Sequence, residues 1–200
     1  MKKLVLTIIL VFPLALCAEE APIPAEQNKT LVCAACHGAQ GNSANPQWPN
    51  IAGQHAKYLL KQLKEIKEDK VRHVPTMLSV VADLTEKDMS DLSEYYAKMP
   101  LAQGTTPKKY VQRGEQLYRG GDYSKHITAC IACHGPKGMG NGQAGFPVLS
   151  GQHAEYTVLQ LQAFKDKKRS NDLNEIMRDI SGRMSQEDME AVSHYIEGLH

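Results

Sequence analysis

At 200 residues the chain is short for three domains and comfortable for two small ones, and 42% hydrophobic residues suit a folded protein. A formal charge of +1 gives no basic excess to attract nucleic acid, so no nucleic-acid partner is expected. Three Phe and one Trp are few for filling two cores, so each small domain needs another source of apolar bulk.

The charged start Met1-Lys2-Lys3 and the apolar run from Leu4 to Leu16 have the form of a secretory signal peptide, too short to cross a bilayer. Residues 1–18 are expected to be removed on export, after Cys17 or Ala18. Lipidation at Cys17 is disfavoured by the bulky Leu16 before it. Either cleavage takes away the fifth cysteine, and loss of Lys2 and Lys3 brings the formal charge to about −1.

Four cysteines remain, all within two copies of one pattern: Cys33-Ala-Ala-Cys36-His37 and Cys130-Ile-Ala-Cys133-His134. The first lies at the end of a predicted helix from Ala25 to Cys36. This order is the attachment signature of covalent haem: two thiols on one helical turn each form a thioether to the porphyrin edge, and the next histidine meets the iron. A zinc site using the four thiolates, or a thioredoxin-like thiol pair, competes for Cys-x-x-Cys, but neither requires the histidine. Two haems would also supply the flat apolar bulk that the aromatic count lacks.

Shifting the chain on itself by 97 to 100 residues aligns much more than these motifs, so it is an internal duplication. Trp48-Pro49-Asn50-Ile51-Ala52-Gly53-Gln54-His55-Ala56 answers to Phe146-Pro147-Val148-Leu149-Ser150-Gly151-Gln152-His153-Ala154. Periodicity predicts helices from Gln54 to Asp69, Pro107 to Arg119 and Gln152 to Lys167. Thr85-Glu86-Lys87-Asp88 and Ser185-Gln186-Glu187-Asp188 each open a further helix. These helices would bury Met89, Leu92, Tyr96 and Met99 in one half and Met189, Val192, Ile196 and Leu199 in the other. Pro100 to Thr106 reads as a linker, and Gly120-Gly121 as a helix stop. Residues 121 to 128 have no counterpart in the first half and read as a surface insertion. Strand signals are nearly absent. The fold class is therefore all-α, with domains at 19–101 and 102–200.

Haem iron in an electron carrier is commonly held on both faces, so each half should supply a second axial ligand. Met77 and Met177 are the only methionines paired by the duplication in that region, each in a stretch without strong helical periodicity. They are the expected partners of His37 and His134. His55 and His153 are also paired, but their place at a helix start favours packing or hydrogen bonding. Pro49 and Pro147 lie 12 and 13 residues after the haem histidines, a separation suited to returning a carbonyl to the ring Nδ1–H. Trp48, Tyr58, Phe146 and Tyr156 would wall the haems or the nearby core. Lys57, Lys61 and Lys64, and Lys165, Lys167, Lys168 and Arg169, read as solvated helix faces more readily than as a docking patch. Asn28 stands where the second half has Gly114, which predicts a looser helix crossing in the first half.

With two haem motifs, duplicated histidine and methionine positions, the Gly-Gln-His-Ala segments and the Gly-Leu-His ending, the chain resembles the dihaem cytochrome c4 family over its whole mature length. The resemblance implies two tandem class I cytochrome c domains, each with one covalently bound haem c, in a bacterial periplasm. It carries thioether roles onto Cys33, Cys36, Cys130 and Cys133, and iron ligation onto His37 with Met77 and His134 with Met177. It implies a respiratory electron shuttle, from the cytochrome bc complex or another donor to a terminal oxidase such as the cbb3 type. A monomer is expected, with loose peripheral attachment to the membrane surface left open. Two other readings use the same motifs: a fixed haem subunit of a respiratory or dehydrogenase complex, and a dihaem peroxidase. The last needs an exchangeable iron position, which paired methionines argue against.

Overall fold

A computed structural model describes residues 25–200, and of residues 25–28 the backbone only. The expected signal peptide lies outside the described residues. The first half contains α1 (Ala25–His37), α2 (Ala56–Glu68), α3 (Pro75–Val81) and α4 (Glu86–Ala97). The second contains α5 (Lys108–Glu115), α6 (Ile131–His134), α7 (Ala154–Lys165), α8 (Ile176–Gly182) and α9 (Gln186–Glu197). Among the described residues, β pairing is limited to three isolated bridges.

Local chemistry accounts for where the helices begin. Thr85 and Ser185 each accept the Asp three residues on through its amide, and each Asp carboxylate accepts the cap amide in return, so α4 and α9 open with matching reciprocal caps. Helices α2 and α7 start two residues later than periodicity suggests. The preceding Gly53 and Gly151 have φ of +64° and +69°, and His55 and His153 are non-helical caps whose amides donate to the neighbouring glutamine side chains. That turn leaves Gln54 and Gln152 outside their helices.

The predicted helix over 107–119 divides. Regular α-helix ends at Glu115, and a π-helical turn, Gln116–Gly120, widens the chain and buries Leu117 and Tyr118 completely. It stops at Gly121, where φ is +70° and an added Cβ would lie 2.3 Å from the carbonyl oxygen of Ile127. The segment over 121–128 is more than a surface insertion. Asp122 and Ile127 bridge and Ile127 enters the core, while residues 123–126 are exposed, Tyr123 almost fully. The linker is also strapped down: the Thr106 hydroxyl donates to the carbonyls of His194 and Tyr195, 3.2 and 3.4 Å away.

Most of the expected core faces are buried. Met89, Leu92 and Tyr96 lie inside the first half, and Met189, Val192, Ile196 and Leu199 inside the second, while Met99 is half-buried. Helices α5 and α9 cross closely at Gly114, where a Cβ would meet Ala191 O at 2.4 Å and Tyr195 Cβ at 2.5 Å. Neither neighbour is the free end of a flexible side chain. Gly114→Ala is therefore expected to destabilise the protein by about 1–3 kcal/mol, read as a lower midpoint in chemical denaturation. An unchanged midpoint would show that the crossing tolerates a methyl group.

Candidate haem sites and the seam between the halves

The four motif cysteines are unbridged thiols, Cys33 and Cys36 on α1, Cys133 on α6 and Cys130 at its cap. Burial raises the pKa of Cys33 and pushes Cys130 up to about 12. A thiol so held is a poor source of thiolate. Among the described residues no three of His, Cys, Asp and Glu converge to hold a metal ion.

His37 and His134 are both buried, and each ring Nδ1–H donates to a proline carbonyl 2.9 Å away, Pro49 for the first and Pro147 for the second. This is the contact that the 12- and 13-residue separations predict. It fixes the tautomer and leaves the Nε2 lone pair for a metal. Burial lowers both histidine pKa values, with the proline carbonyls pulling the other way, which favours the neutral rings. Neutral imidazole is the form that ligates iron.

The intervening loops return through paired amide donors. Ile51 and Ala52 both donate to Gly41 O, at 2.7 and 3.0 Å, and Leu149 and Ser150 to Gly138 O, at 2.7 and 3.1 Å. Gly41 has φ +79°, and a Cβ there would stand 2.9 Å from Ala52 N, so only glycine lets the strands of the loop meet. The second loop is one residue longer and keeps the same histidine contact.

Met77 and Met177 lie on α3 and α8, where sequence periodicity gave no helix. Seven residues make about two turns, too few to display an apolar repeat. Pro75 opens α3 in the first turn, and Asn174 and Glu175, both left-handed, lead into α8. Met177 and Cys130 pack against one hydrophobic cluster that includes Leu117, Tyr118 and Met184. Two thiols, an imidazole with its Nδ1 engaged and a thioether on a separate helix make a donor set that fits covalent haem. Phe146 lies with its ring 6.2 Å from that of His134, as a wall of the second site would, whereas Trp48 is 37% exposed.

The remaining paired residues join the halves. His55 Nε2–H donates to Met139 O at 2.9 Å and His153 Nε2–H to Ser43 O at 2.8 Å, which engages the nitrogen a bis-histidine site would need. Gln54 donates to Val148 O and accepts from Val148 N, both at 2.9 Å. Gln152 treats Asn50 in the same way, at 2.8 and 2.9 Å. Val148 follows Pro147 and Asn50 follows Pro49, so each half grips the other at the residue next to its histidine-orienting proline.

Tyr58 and Tyr156 turn their hydroxyls to this seam. Arg169 donates to Tyr58 at 2.8 Å and Arg72 to Tyr156 at 2.9 Å, each across the halves. Arg169 is thus buried, contrary to the reading of its run as a solvated face. The neighbouring lysines have ordinary partners: Lys57 donates to Gln143, Lys61 to Asn171 O, Lys64 to Glu86 and Lys165 to Met184 O. Sequence reasoning overlooked Arg72, although the duplication pairs Arg72 with Arg169 as it pairs Tyr58 with Tyr156.

Residues 26–100 and 111–200 each match the cytochrome c family. The molecule is a c-type cytochrome of two tandem all-α domains. It is 42% identical to cytochrome c4 of Pseudomonas aeruginosa over all of both chains. The crystal structure of reduced recombinant cytochrome c4 from Pseudomonas stutzeri is similar at a TM-score of 0.84 and 42% identity, covering 88% of this chain and 97% of that one. A thiosulfate dehydrogenase electron acceptor of Stutzerimonas stutzeri is 35% identical over 84% of this chain and 79% of its own. The chain belongs to the cytochrome c4 family, and it is an electron-transfer protein with two covalently bound haem c groups.

The paired glutamine bonds make a local prediction. Gln54→Ala removes both contacts to Val148, each contributing about 1 kcal/mol net. Amide exchange at Val148 should rise at least several-fold, with the amides of α9 unaffected. Unchanged exchange at Val148 would mean that the glutamine contributes nothing to holding that loop.

Proposed function

We propose that the protein is a non-catalytic periplasmic carrier, with a leader at 1–18 and one haem held in each of the domains 19–101 and 102–200. Cys33 and Cys36 form the thioethers of the first haem, with His37 and Met77 as its iron ligands. Cys130, Cys133, His134 and Met177 do the same for the second. The observation that supports this set best is the matching Nδ1–H contact of His37 and His134 to Pro49 and Pro147, both at 2.9 Å. It presents one neutral imidazole nitrogen per half beside a pair of thiols.

When bound, haem supplies a one-electron ferric/ferrous couple. The chain's part is to position and to exclude. The proline carbonyls hold the imidazoles in one tautomer and orientation, which keeps the ligand geometry alike in both oxidation states. The Met77 and Met177 thioethers would favour ferrous iron and would leave no exchangeable position, which separates a carrier from a peroxidase. No proton need move at His37 or His134, since both Nδ1–H groups stay bonded to carbonyls.

The donor is the cytochrome bc complex and the acceptor a terminal oxidase such as the cbb3 type, as for a shuttle of this family. A second reading is favoured by the relative described as a thiosulfate dehydrogenase electron acceptor, 35% identical to this chain. In that reading the donor is a dehydrogenase, met transiently or as a fixed haem subunit. Stopped-flow reduction of the ferric protein by each purified donor separates the two.

The ligand set is tested by visible spectra of the ferric protein beside Met77→Ala and Met177→Ala. The weak red charge-transfer band of methionine-ligated ferric haem should fall by about half in each variant. An unchanged band in either variant removes that methionine from the set. Rapid peroxide turnover by the wild type would promote the enzyme.

A further inference from the structure

Three titratable side chains of the second half meet where α7 begins and α9 ends. His153 Nδ1 lies 3.5 Å from Glu197 Oε1 and His194 Nδ1 lies 3.7 Å from Glu197 Oε2, so one carboxylate stands between two imidazoles. None of the three side chains is more than 28% exposed. Gly104 of the linker lies over the acid: a Cβ there would meet Glu197 Cγ at 2.7 Å.

The two rings differ in what they can offer the carboxylate. His153 Nε2–H donates to Ser43 O at 2.8 Å, and a carbonyl only accepts, so the single proton of a neutral His153 is committed to Nε2. Its Nδ1 then turns a bare lone pair toward a carboxylate oxygen. Two acceptors face each other, and one proton between them replaces repulsion with a charge-assisted contact. His194 is under no such constraint. Its Nδ1 is buried without a hydrogen-bond partner, and among the described residues no acceptor claims its Nε2–H. A neutral His194 can therefore carry its proton on Nδ1, toward Glu197.

The surroundings divide evenly. Tyr110 of α5 stacks on the His194 ring at 4.2 Å, with Lys109 4.5 Å above Tyr110, and the first half presents the neutral Ser43 carbonyl. The C-terminal end of α9 favours a cation, while the start of α7, which His153 caps, disfavours one. Glu197 decides the balance.

We propose that His153 and Glu197 form a proton-binding site that couples pH to the electron affinity of the first half's haem. Ser43 carries the effect across the seam. Its carbonyl accepts from His153, its hydroxyl donates to Cys36 O at 2.9 Å, and its amide donates to Asn50 Oδ1 at 2.8 Å. Cys36 belongs to the first haem motif and Asn50 follows Pro49, so an imidazolium at His153 stands two hydrogen bonds from that motif. Positive charge there favours ferrous iron. When the site is empty, one electron from the donor reduces ferric to ferrous iron and one N–H bond forms on His153 with a proton from water. No other bond changes, and by reciprocity reduction tightens the hold on the proton.

The first half has no equivalent. His55, the counterpart of His153, donates to Met139 O in the same way, but Ala97 stands where the second half has Glu197. Only one haem should respond.

The assignment rests on the first haem being held at Cys33, Cys36, His37 and Met77 as proposed above, and the test keeps the two apart. Both midpoint potentials of the holoprotein are titrated between about pH 5 and 8, the range over which histidine changes charge. The wild type is compared with Glu197→Gln, whose amide can donate to the bare Nδ1 with no proton taken up, with His153→Gln, and with His55→Gln. Met77→Ala identifies the first haem's midpoint, since loss of that thioether lowers it alone. In the wild type the first haem's midpoint should fall as pH rises while the second moves much less. That slope should vanish in Glu197→Gln and His153→Gln and persist in His55→Gln. Two flat midpoints in the wild type, a slope that survives Glu197→Gln, or a slope confined to the second haem would overturn the proton site. If Met77→Ala moves neither midpoint, the ligand assignment fails, and loss or survival of the slope in Glu197→Gln still decides the proton site. Should His153→Gln fail to load two haems, Glu197→Gln, which leaves the His153 bond to Ser43 in place, carries the test.

Discussion

The hydrogen bond from each haem-motif histidine to a proline carbonyl is the constraint around which the rest of the molecule is arranged. A buried imidazole needs a partner for its Nδ1–H, and a backbone carbonyl held at a fixed distance supplies one that also sets the ring's orientation. The loop over residues 38–49 in one half and 135–147 in the other delivers it, at 2.9 Å in both. Gly41 and Gly138 allow that delivery by letting the returning chain bond to their carbonyl oxygens. The glutamines of the opposite half then hold the residue just beyond each proline. One small contact thus links the motif, its loop and the docking of the two domains.

This arrangement explains why a dihaem chain need not behave as two beads on a string. Interfaces between domains of one chain are often small and permit relative motion. Here the seam carries reciprocal glutamine bonds, two histidine-to-carbonyl bonds and a pair of cross-donated arginines, every one of them matched by its repeat partner. A protein that passes electrons benefits from such rigidity.

Much of this was legible in the sequence, and what was missed follows a physical rule. The duplication, the two motifs, the reciprocal caps at Thr85 and Ser185 and the proline spacing are local patterns, and each appears in the structure in the same form. Helices α3 and α8 were not visible because seven residues cannot show a period. The π-helical turn at Gln116–Gly120 was not visible because it differs from α-helix by one residue of slack that packing of Leu117 and Tyr118 decides. Arg169 was misread because a basic run near a helix end is usually solvated. Its burial depends on Tyr58, 111 residues away, which no local pattern reports. The repeat offers the remedy: Arg72 and Arg169 occupy matching places, and a charged residue kept by both copies outside any obvious surface role marks the seam.

The central claim is that each half supports the other's haem histidine, and hyperfine-shifted proton spectra of the ferric protein test it most directly. These resonances report the ligand orientation of each haem separately. In Gln54→Ala, the lines of the second half's haem should move while those of the first half's haem hold their positions. Lines that move only for the haem of the half carrying the substitution, or for neither haem, would contradict the account.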